Sequence, residues 1–254
     1  MNTSQQMLDA NQYATDSILK YEQVYGEDFV SPGGKEMARE FIEKLKLQPN
    51  SKVLDVGCGL GGSAFLMAEQ FELSVDGIDL SQNMIRIAQK KLASYGLSDR
   101  VTLSIADCMD IEATDHYDAV YSRDVFLHIS DKLSLFKVLY RSLKQQGKLL
   151  FTDYCCGEKP WQTEFSDYVE SYGYSLHTID SYTQLLTEAG FTNVQGIDMS
   201  EKFITILRSE IEVIDLSDID HSIKASLAAD WQGKIRRAEQ GDHRWGLFLA
   251  SKSQ

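Results

Sequence analysis

From Ser51 onward, short apolar runs alternate with longer segments in which apolar residues recur every three or four positions. The short runs predict β-strands, and the longer segments predict amphipathic α-helices. The predicted strands are SKVLDVG, LSVDGIDL, VTLSIAD, YDAVYSRD, KLLFTDY, TNVQGIDM and RWGLFLASK. The predicted helices between them are GGSAFLMAEQF, SQNMIRIAQKKLASYG, DKLSLFKVLYRSLKQQG (ending at Gly147), DSYTQLLTEAGF and a helical region over 200–240. This alternation is typical of an α/β fold whose mainly parallel sheet is covered on both faces.

The first 48 residues differ, because their apolar and aromatic residues follow helical spacing without a strand-like run. YATDSILKYEQVYG and GKEMAREFIEKLKL predict two helices, and Gly33–Gly34 marks a break between them. No repeat or Ser/Gly-rich linker divides the chain, so a single domain with an elaboration fits the pattern. Near the other end, the acidic stretch Glu210–Asp220 predicts a solvated helix and loop.

Charge and composition narrow the function classes. The 254-residue chain has 25 Lys and Arg against 38 Asp and Glu, a formal net charge of −13, which disfavours binding to nucleic-acid backbones. No apolar run approaches about 18 residues, so we expect no membrane span. The N-terminus lacks the basic start and apolar core of a secretory signal. The four cysteines form no CxxC pair, which favours reduced thiols, no metal site and a cytoplasmic protein.

A glycine-rich segment follows the first predicted strand and opens the next helix. It carries GxGxxG at Gly57, Gly59 and Gly62, where glycines permit a tight turn and a close approach of backbone to ligand. Asp79 ends the second predicted strand, where a carboxylate can accept hydrogen bonds from both hydroxyls of a ribose. By itself this pattern fits a nicotinamide or flavin enzyme, or simply a glycine-rich turn.

Two further carboxylates change that balance. Asp55 lies two residues before Gly57, a position that suits a ligand with a cationic end better than a pyrophosphate. Asp107 follows the third predicted strand, where it can bond an adenine amino group. Carboxylates at three successive strand ends resemble the class I S-adenosylmethionine-dependent methyltransferases. The resemblance implies a Rossmann-like, seven-stranded, mostly parallel sheet with an N-terminal helical lid and a helical segment inserted before the last strand.

A closer resemblance extends over nearly the whole chain. Its motifs are NQY at 11–13, Tyr21, VSPGG at 30–34, VLDVGCGLGG, GIDLS, YSRDVFLHI, TDYC at 152–155 and RWGLF at 244–248. With these motifs the chain resembles the phosphoethanolamine N-methyltransferases. The resemblance implies successive methyl transfer from S-adenosyl-L-methionine to phosphoethanolamine, toward phosphocholine, with S-adenosyl-L-homocysteine as the other product. YSRDVFLHI also lacks the Pro-Pro-aromatic loop common in nucleic-acid amino-methyltransferases, which further disfavours a nucleic-acid substrate.

The resemblance also assigns roles to single residues. The cofactor positions are Val30, Ser31, Asp55, Gly57, Gly59, Asp79, Leu80, Asp107, Cys108 and Arg123. The substrate positions are Gln12, Tyr21, Ser31, Tyr154, Tyr172, Tyr174 and Lys234. The catalytic positions are Tyr13, His128 and Asp124; Tyr13 and His128 would form a latch that closes the lid. These residue types suit the chemistry, since a His–Tyr pair can relay a proton near neutral pH and a carboxylate can orient an ammonium.

One position departs from the family. An arginine that is a phosphate ligand in the family is replaced here by Tyr172, and a phenol cannot supply its charge. In one interpretation the enzyme still methylates phosphoethanolamine, with Lys234 or Arg236 compensating. In the other, the pocket accepts a different small amine, such as a glycine-, sarcosine- or ethanolamine-type substrate. A catalytically silent S-adenosylmethionine-binding protein is a third hypothesis, which the joint presence of Tyr13, Asp124 and His128 disfavours.

The resemblance divides the chain into four parts: a helical lid at 1–48, a cofactor-binding core at 49–199, a helical substrate cover at 200–243 and the last core strand at 244–254. The lid and the cover already have roles around the substrate, which favours a monomer. Trp161, Trp231 and Trp245 are expected to be structural. The expected partner is one small-molecule amine.

Overall fold

The computed structural model of the chain describes residues 15–217 and 220–253. The strands are β1 Lys52–Val56, β2 Ser74–Asp79, β3 Val101–Ile105, β4 Tyr117–Arg123, β5 Leu143–Cys156, β6 Thr192–Asp198 and β7 His243–Ser251. The helices are α1 Thr15–Tyr25, α2 Gly34–Leu45, α3 Gly62–Phe71, α4 Gln82–Tyr95, α5 Lys132–Ser142, α6 Thr163–Tyr172, α7 Ile179–Glu188, α8 Ser200–Leu216 and α9 His221–Glu239. Two short 3₁₀ turns cover Cys108–Asp110 and Phe126–His128. No helix in the described part of the chain is both long enough and apolar enough to cross a membrane.

The strands form one mixed sheet in the order β3-β2-β1-β4-β5-β7-β6. Pairs among β1 to β5 are parallel, whereas β7 runs antiparallel to both β5 and β6. The predicted α/β fold with a mostly parallel sheet is therefore confirmed. β2 and β4 lie on opposite sides of β1, so the order of the strands reverses at β1. In such folds, ligands bind in the crevice at the carboxyl ends of the strands where this reversal occurs.

Two apolar layers cover the sheet. On one face, α2, α3, α4, α8 and α9 contribute the buried side chains of Phe41, Phe65, Ile85, Phe203 and Trp231. On the other face, α5 and α7 contribute Phe136, Leu139, Tyr182 and Leu186 against Phe151 and Phe248 of the sheet. Burial on both faces explains why the central strands read as near-continuous apolar runs in the sequence.

The helix predicted to end at Gly147 is shorter in the structure. α5 ends at Ser142, and β5 begins at Leu143, which pairs with Tyr117 of β4. The register then shifts, and Gln146 takes a left-handed backbone conformation (φ 63°) before the apolar part of β5. Pairing with a strand distant in sequence thus overrides the helical propensity of LKQQ.

The acidic stretch predicted as solvated begins with a buried residue. Glu210 in α8 is 6% exposed, and its two carboxylate oxygens accept hydrogen bonds from Gly33 N (2.8 Å) and Trp231 Nε1 (2.7 Å). Burial raises the pKa of Glu210 to about 7. That prediction was wrong for Glu210, because this side chain joins the segment before α2 to the helices that precede β7.

Candidate active site

A cavity of about 600 Å³ opens at the carboxyl ends of β1, β2 and β4. It is lined by sixteen of the predicted site residues: Tyr21, Val30, Ser31, Gly57, Gly59, Asp79, Leu80, Asp107, Cys108, Arg123, Asp124, His128, Tyr154, Tyr172, Tyr174 and Lys234. Gln12 and Tyr13 lie outside the described residues, and Asp55 does not line the cavity. The structure therefore places one end of the cavity against the glycine loop and the other against a group of tyrosines.

The glycine loop lines the cavity with backbone in a tight, anchored turn. Gly57 and Gly59 have positive φ angles of 70° and 54°, which side chains disfavour. A Cβ on Gly57 would meet Val125 Cγ2 at 2.2 Å. The loop is anchored because the Gly57 and Cys58 N–H groups both donate to Ile78 O, at 2.7 and 3.0 Å.

Asp79 and Asp107 hold fixed positions on the cavity wall. Asp79 accepts the Gly59 N–H at Oδ2 (2.9 Å) and the Ser81 N–H at Oδ1 (2.8 Å). Asp107 accepts the Met109 N–H at Oδ1 (2.9 Å), at the start of the first 3₁₀ turn. A carboxylate oxygen can accept more than one hydrogen bond, so these backbone bonds do not by themselves prevent either side chain from accepting ligand hydroxyl or amino groups.

Two cofactor positions predicted from the resemblance have unexpected surroundings. Asp55 is 2% exposed, and its Oδ2 has no hydrogen-bond partner among the described residues; burial, then Asp79, raise its pKa to about 7. Asp55 thus lies behind the wall rather than on it. The Arg123 guanidinium donates to the backbone carbonyls of Pro32 and Gly34. Arg123 therefore ties the end of β4 to the segment before α2 as well as lining the cavity.

Asp124 combines a strained backbone with a half-satisfied carboxylate. Its φ is 56°, a left-handed conformation rare for residues other than glycine and enriched at functional sites. Oδ1 accepts Trp245 Nε1 (2.8 Å) and Thr152 Oγ1 (3.1 Å), so Trp245, expected to be purely structural, positions this carboxylate. Oδ2 is buried without a partner among the described residues. Burial raises the pKa of Asp124, an effect that Arg123 and these hydrogen bonds oppose.

His128 ends the second 3₁₀ turn and contacts the Tyr174 ring edge-on, with centroids 5.4 Å apart. Burial, then the nearby Lys132, lower the pKa of His128 to about 4, so it is neutral at physiological pH. A hydrogen bond from β5 fixes the turn, because Asp153 Oδ1 accepts the Leu127 N–H (3.1 Å). Lys132 Nζ donates to the carbonyls of Phe126 (2.8 Å), Ile129 (2.5 Å) and Ser175 (2.7 Å).

The far end of the cavity has an aromatic wall. The ring centroids of Tyr168, Tyr172 and Tyr174 lie 5.1 to 5.7 Å apart, and Tyr172 stacks on Tyr174 at 18°. Lys234 also lines the cavity, 8% exposed, with Nζ 3.6 Å from Asp230 Oδ2 and 4.5 Å from the centre of the Trp231 ring. This end therefore joins a cation to several aromatic faces.

Several lining residues were not predicted, among them three at the substrate end: Tyr25, Tyr168 and Asp230. Helical spacing carried a signal for two of them, because Tyr168 and Asp230 each precede a predicted site residue by four positions, Tyr172 and Lys234.

The expectation that Arg236 compensates for Tyr172 was wrong. Arg236 does not line the cavity; its exposed guanidinium pairs with Glu164 Oε1 at 2.6 Å, because it lies on a different face of α9 from Lys234.

Known proteins share both sequence and fold with this chain. Residues 34–231 match the family model described as mycolic acid cyclopropane synthetase. The chain is 42% identical over 256 residues to phosphoethanolamine N-methyltransferase 1 of Arabidopsis thaliana, covering 98% of this chain and 52% of the plant protein. It is 33% identical over 263 residues to the phosphoethanolamine N-methyltransferase of Plasmodium falciparum, covering 100% of this chain and 98% of that protein.

A solved structure adds a likeness of fold. Phosphoethanolamine N-methyltransferase 2 of Haemonchus contortus, in complex with phosphomonomethylethanolamine and S-adenosylhomocysteine, matches with a TM-score of 0.95 at 30% identity. The match covers 100% of this chain and 61% of the nematode chain. The chain likewise spans about half the length of the plant relative, whereas its match to the Plasmodium protein covers 98% of that protein.

Proposed function

Because the chain belongs to the phosphoethanolamine N-methyltransferase family, we propose that it transfers methyl groups from S-adenosyl-L-methionine to the amine of phosphoethanolamine and its methylated forms. The observation that carries this proposal is the buried oxygen of Asp124, which has no hydrogen-bond partner among the described residues, in a cavity that also holds the glycine loop and Lys234. One cavity thus offers a place for a nucleoside, a place for an ammonium and a place for an anion.

The residues at the glycine-loop end fit S-adenosyl-L-methionine, which when bound supplies an electrophilic methyl group. Gly57 lines the cavity with its backbone, and a Cβ there would collide with Val125 Cγ2 at 2.2 Å, so backbone rather than a side chain would meet the ligand. Asp79 would accept hydrogen bonds from the ribose hydroxyls, and Asp107 and Cys108 would contact the adenine. Val30, Ser31 and Leu80 would cover the nucleoside, while Asp55 would act from behind the wall.

At the centre of the cavity, Asp124 would hold the amine. Its Oδ2 has no hydrogen-bond partner in the described part of the chain, while Trp245 and Thr152 fix Oδ1, so the carboxylate is aimed before the substrate arrives. Positioning of this kind supplies much of the acceleration when two reactants must meet in line. The amine must lose a proton before it can accept a methyl group, and neutral His128, with Tyr13 as latch partner, would take or relay that proton.

The tyrosine end would hold the phosphate. Lys234 would supply positive charge, and the hydroxyls of Tyr21, Tyr154, Tyr174 and Ser31 would donate hydrogen bonds; burial raises the pKa of Tyr21 to about 12, so that phenol keeps its proton. Tyrosine faces would also attract the methylated ammonium of later intermediates, worth about 0.5–2 kcal/mol per contact. Gln12 would complete the amine site.

Closure over the substrate would involve both ends of the chain. We assign residues 1–48 to a lid, 49–199 to the cofactor core, 200–243 to a substrate cover and 244–254 to the last core strand. The Glu210 bonds to Gly33 and Trp231 support joint action of lid and cover, since closure excludes water from such sites. We further propose a cytoplasmic monomer that does not bind nucleic acid.

A methyl-transfer panel tests this function. Initial rates would be compared for phosphoethanolamine, its mono- and dimethylated forms, ethanolamine, glycine, sarcosine and dimethylglycine, with S-adenosylhomocysteine binding as a control for the cofactor end. We expect activity on one or more phosphobases and little on the amines without phosphate. A preference for glycine-type amines would instead establish a pocket that accepts a different small amine. Cofactor binding without any transfer would establish a silent binding protein.

A further inference from the structure

The charges that line the substrate end of the cavity do not balance a phosphate. Among the described lining residues at that end, Lys234 is the cation, and it already faces Asp230 at 3.6 Å. Asp124 adds a second carboxylate to the same space, and the neighbouring Arg123 is engaged by the carbonyls of Pro32 and Gly34. A phosphate monoester carries close to two negative charges at neutral pH, so a further positive charge behind the wall would stabilise it.

Arg237 lies directly behind that wall. Its guanidinium carbon is 4.0 Å from the centre of the Tyr168 ring, and Tyr168 lines the cavity. The Arg237 residue is only 6% exposed, and its Nε and Nη2 atoms have no hydrogen-bond partner among the described residues. A buried cation with unpaired donors is costly, so its position calls for an explanation.

The ion pair of Arg237 does not neutralise it. Among the described residues its one anionic contact is Glu164, with Arg237 Nη1 3.3 Å from Oε1. That carboxylate is engaged by Arg236, which donates from Nη2 at 2.6 Å and from Nε at 3.1 Å. Glu164 is also 41% exposed at its side chain, so solvent screens it. One carboxylate shared by two arginines leaves net positive charge at the buried member.

The surroundings of Arg237 accommodate its guanidinium without cancelling its charge. Gly233 precedes it by one helical turn, and a Cβ there would meet Arg237 Nη1 at 2.9 Å; a glycine inside a helix costs about 1 kcal/mol, and here it provides room. The neighbouring His243 is fully buried, and burial, then Arg237 and Lys234, hold its pKa well below its usual range. His243 is therefore neutral and adds no competing charge.

We propose that Arg237 is a specificity-determining residue, which from behind Tyr168 supplies the second positive charge that favours substrates with an anionic tail. This inference rests on the proposed function for the identity of that tail as a phosphate. Arg237 holds the Tyr168 face and acts through it, so it is a positioning residue rather than a catalytic one. Arg237 supplies the positive charge that Tyr172 lacks, but it does so from a different position.

The test compares Arg237→Met with Arg236→Met, a matched control on the same helix that shares Glu164. Arg237→Met should raise KM for phosphoethanolamine about tenfold or more, while KM for ethanolamine and the affinity for S-adenosylhomocysteine stay within about twofold. Arg236→Met should change neither substrate by more than about twofold, because its charge is exposed. Adding Tyr172→Arg to Arg237→Met should restore affinity for phosphoethanolamine, since an arginine there places a cation on the same wall.

Equal changes in KM for both substrates, or no change for either, would overturn the proposal. If Arg237→Met does not fold, Glu164→Gln decides: freeing Arg237 should strengthen competitive inhibition by inorganic phosphate, and unchanged inhibition would contradict its role. A wild-type protein inactive on every phosphobase would refute the proposed function instead. Calorimetry of inorganic phosphate with wild type and Arg237→Met would then still test Arg237.

Discussion

The hydroxyl of Thr152 offers a sharp test of how Asp124 is aimed. Thr152 is fully buried, and its Oγ1 donates to Asp124 Oδ1 at 3.1 Å, beside the Trp245 donor at 2.8 Å. Thr152→Val removes that donor but keeps the shape of the side chain and the backbone bond from Asp124 N to Thr152 O. Trp245 still satisfies Oδ1, so the substitution weakens the carboxylate's support without leaving a buried group unpaired.

The expected loss follows from the geometry. A hydrogen bond to a charged group contributes about 1.5–3 kcal/mol, and a distance of 3.1 Å is long for a charge-assisted bond, so the lower end applies. About 1.5 kcal/mol corresponds to roughly tenfold in rate. Because the Thr152 bond lowers the pKa of Asp124, its loss should raise that pKa further. The acidic limb of the pH profile should therefore move to higher pH.

The assay measures initial rates of methyl transfer to phosphoethanolamine from about pH 6 to pH 9 for wild type, Thr152→Val and Thr152→Ser. Thr152→Ser retains the hydroxyl and should stay within about threefold of wild type, while Thr152→Val should fall about tenfold in kcat/KM. Affinity for S-adenosylhomocysteine should be unchanged in both. Identical rates and pH limbs for the two variants would refute the reasoning that the Thr152 hydroxyl aims Asp124.

Three further substitutions probe the rest of the site and its support. Asp79→Asn places an amide donor against the Gly59 or Ser81 N–H, so calorimetry should show S-adenosylhomocysteine binding weaker by about 2 kcal/mol; an unchanged constant would contradict the ribose role. His128→Ala should lower turnover by about 10²–10⁴ with cofactor affinity within several-fold, and near-normal turnover would remove His128 from the mechanism. Because the folded pKa of His243 is held well below its unfolded value, its neutral form adds stability above about pH 6.5 that is lost as pH falls. His243→Phe should therefore raise Tm more at about pH 5 than at about pH 8, and equal shifts would show that His243 does not titrate on unfolding.

Features encoded locally were predictable. The glycine loop and Asp79 were placed correctly because a strand, a turn and a helix start are adjacent in sequence, and strand ends converge on one edge of the sheet. The class of fold followed from the alternation of strand and helix patterns. The resemblance to the phosphoethanolamine N-methyltransferases, carried by YSRDVFLHI and TDYC, is confirmed by the match over nearly all of the Plasmodium protein.

Features that depend on distant contacts were not predictable. Asp124 accepts a hydrogen bond from Trp245, 121 residues away, and Glu210 accepts one from Gly33, 177 residues away. No local sequence pattern indicates either contact. Arg236 and Arg237 are neighbours in sequence but differ by about 100° around a helix. Which of them lies near the site depends on how α9 packs, and the interpretation drawn from the sequence had named Lys234 or the exposed Arg236.

The position of β7 determines when the domain can finish folding. β6 pairs only with β7 among the described strands, and β7 also pairs with β5. A ribosome that has just completed β6 must still add the 53 residues from Met199 to Ser251, about 3–10 s at bacterial or eukaryotic elongation rates. Throughout that interval β6 has no partner strand. Its exposed, largely polar face limits edge-to-edge aggregation of the nascent chain during the wait.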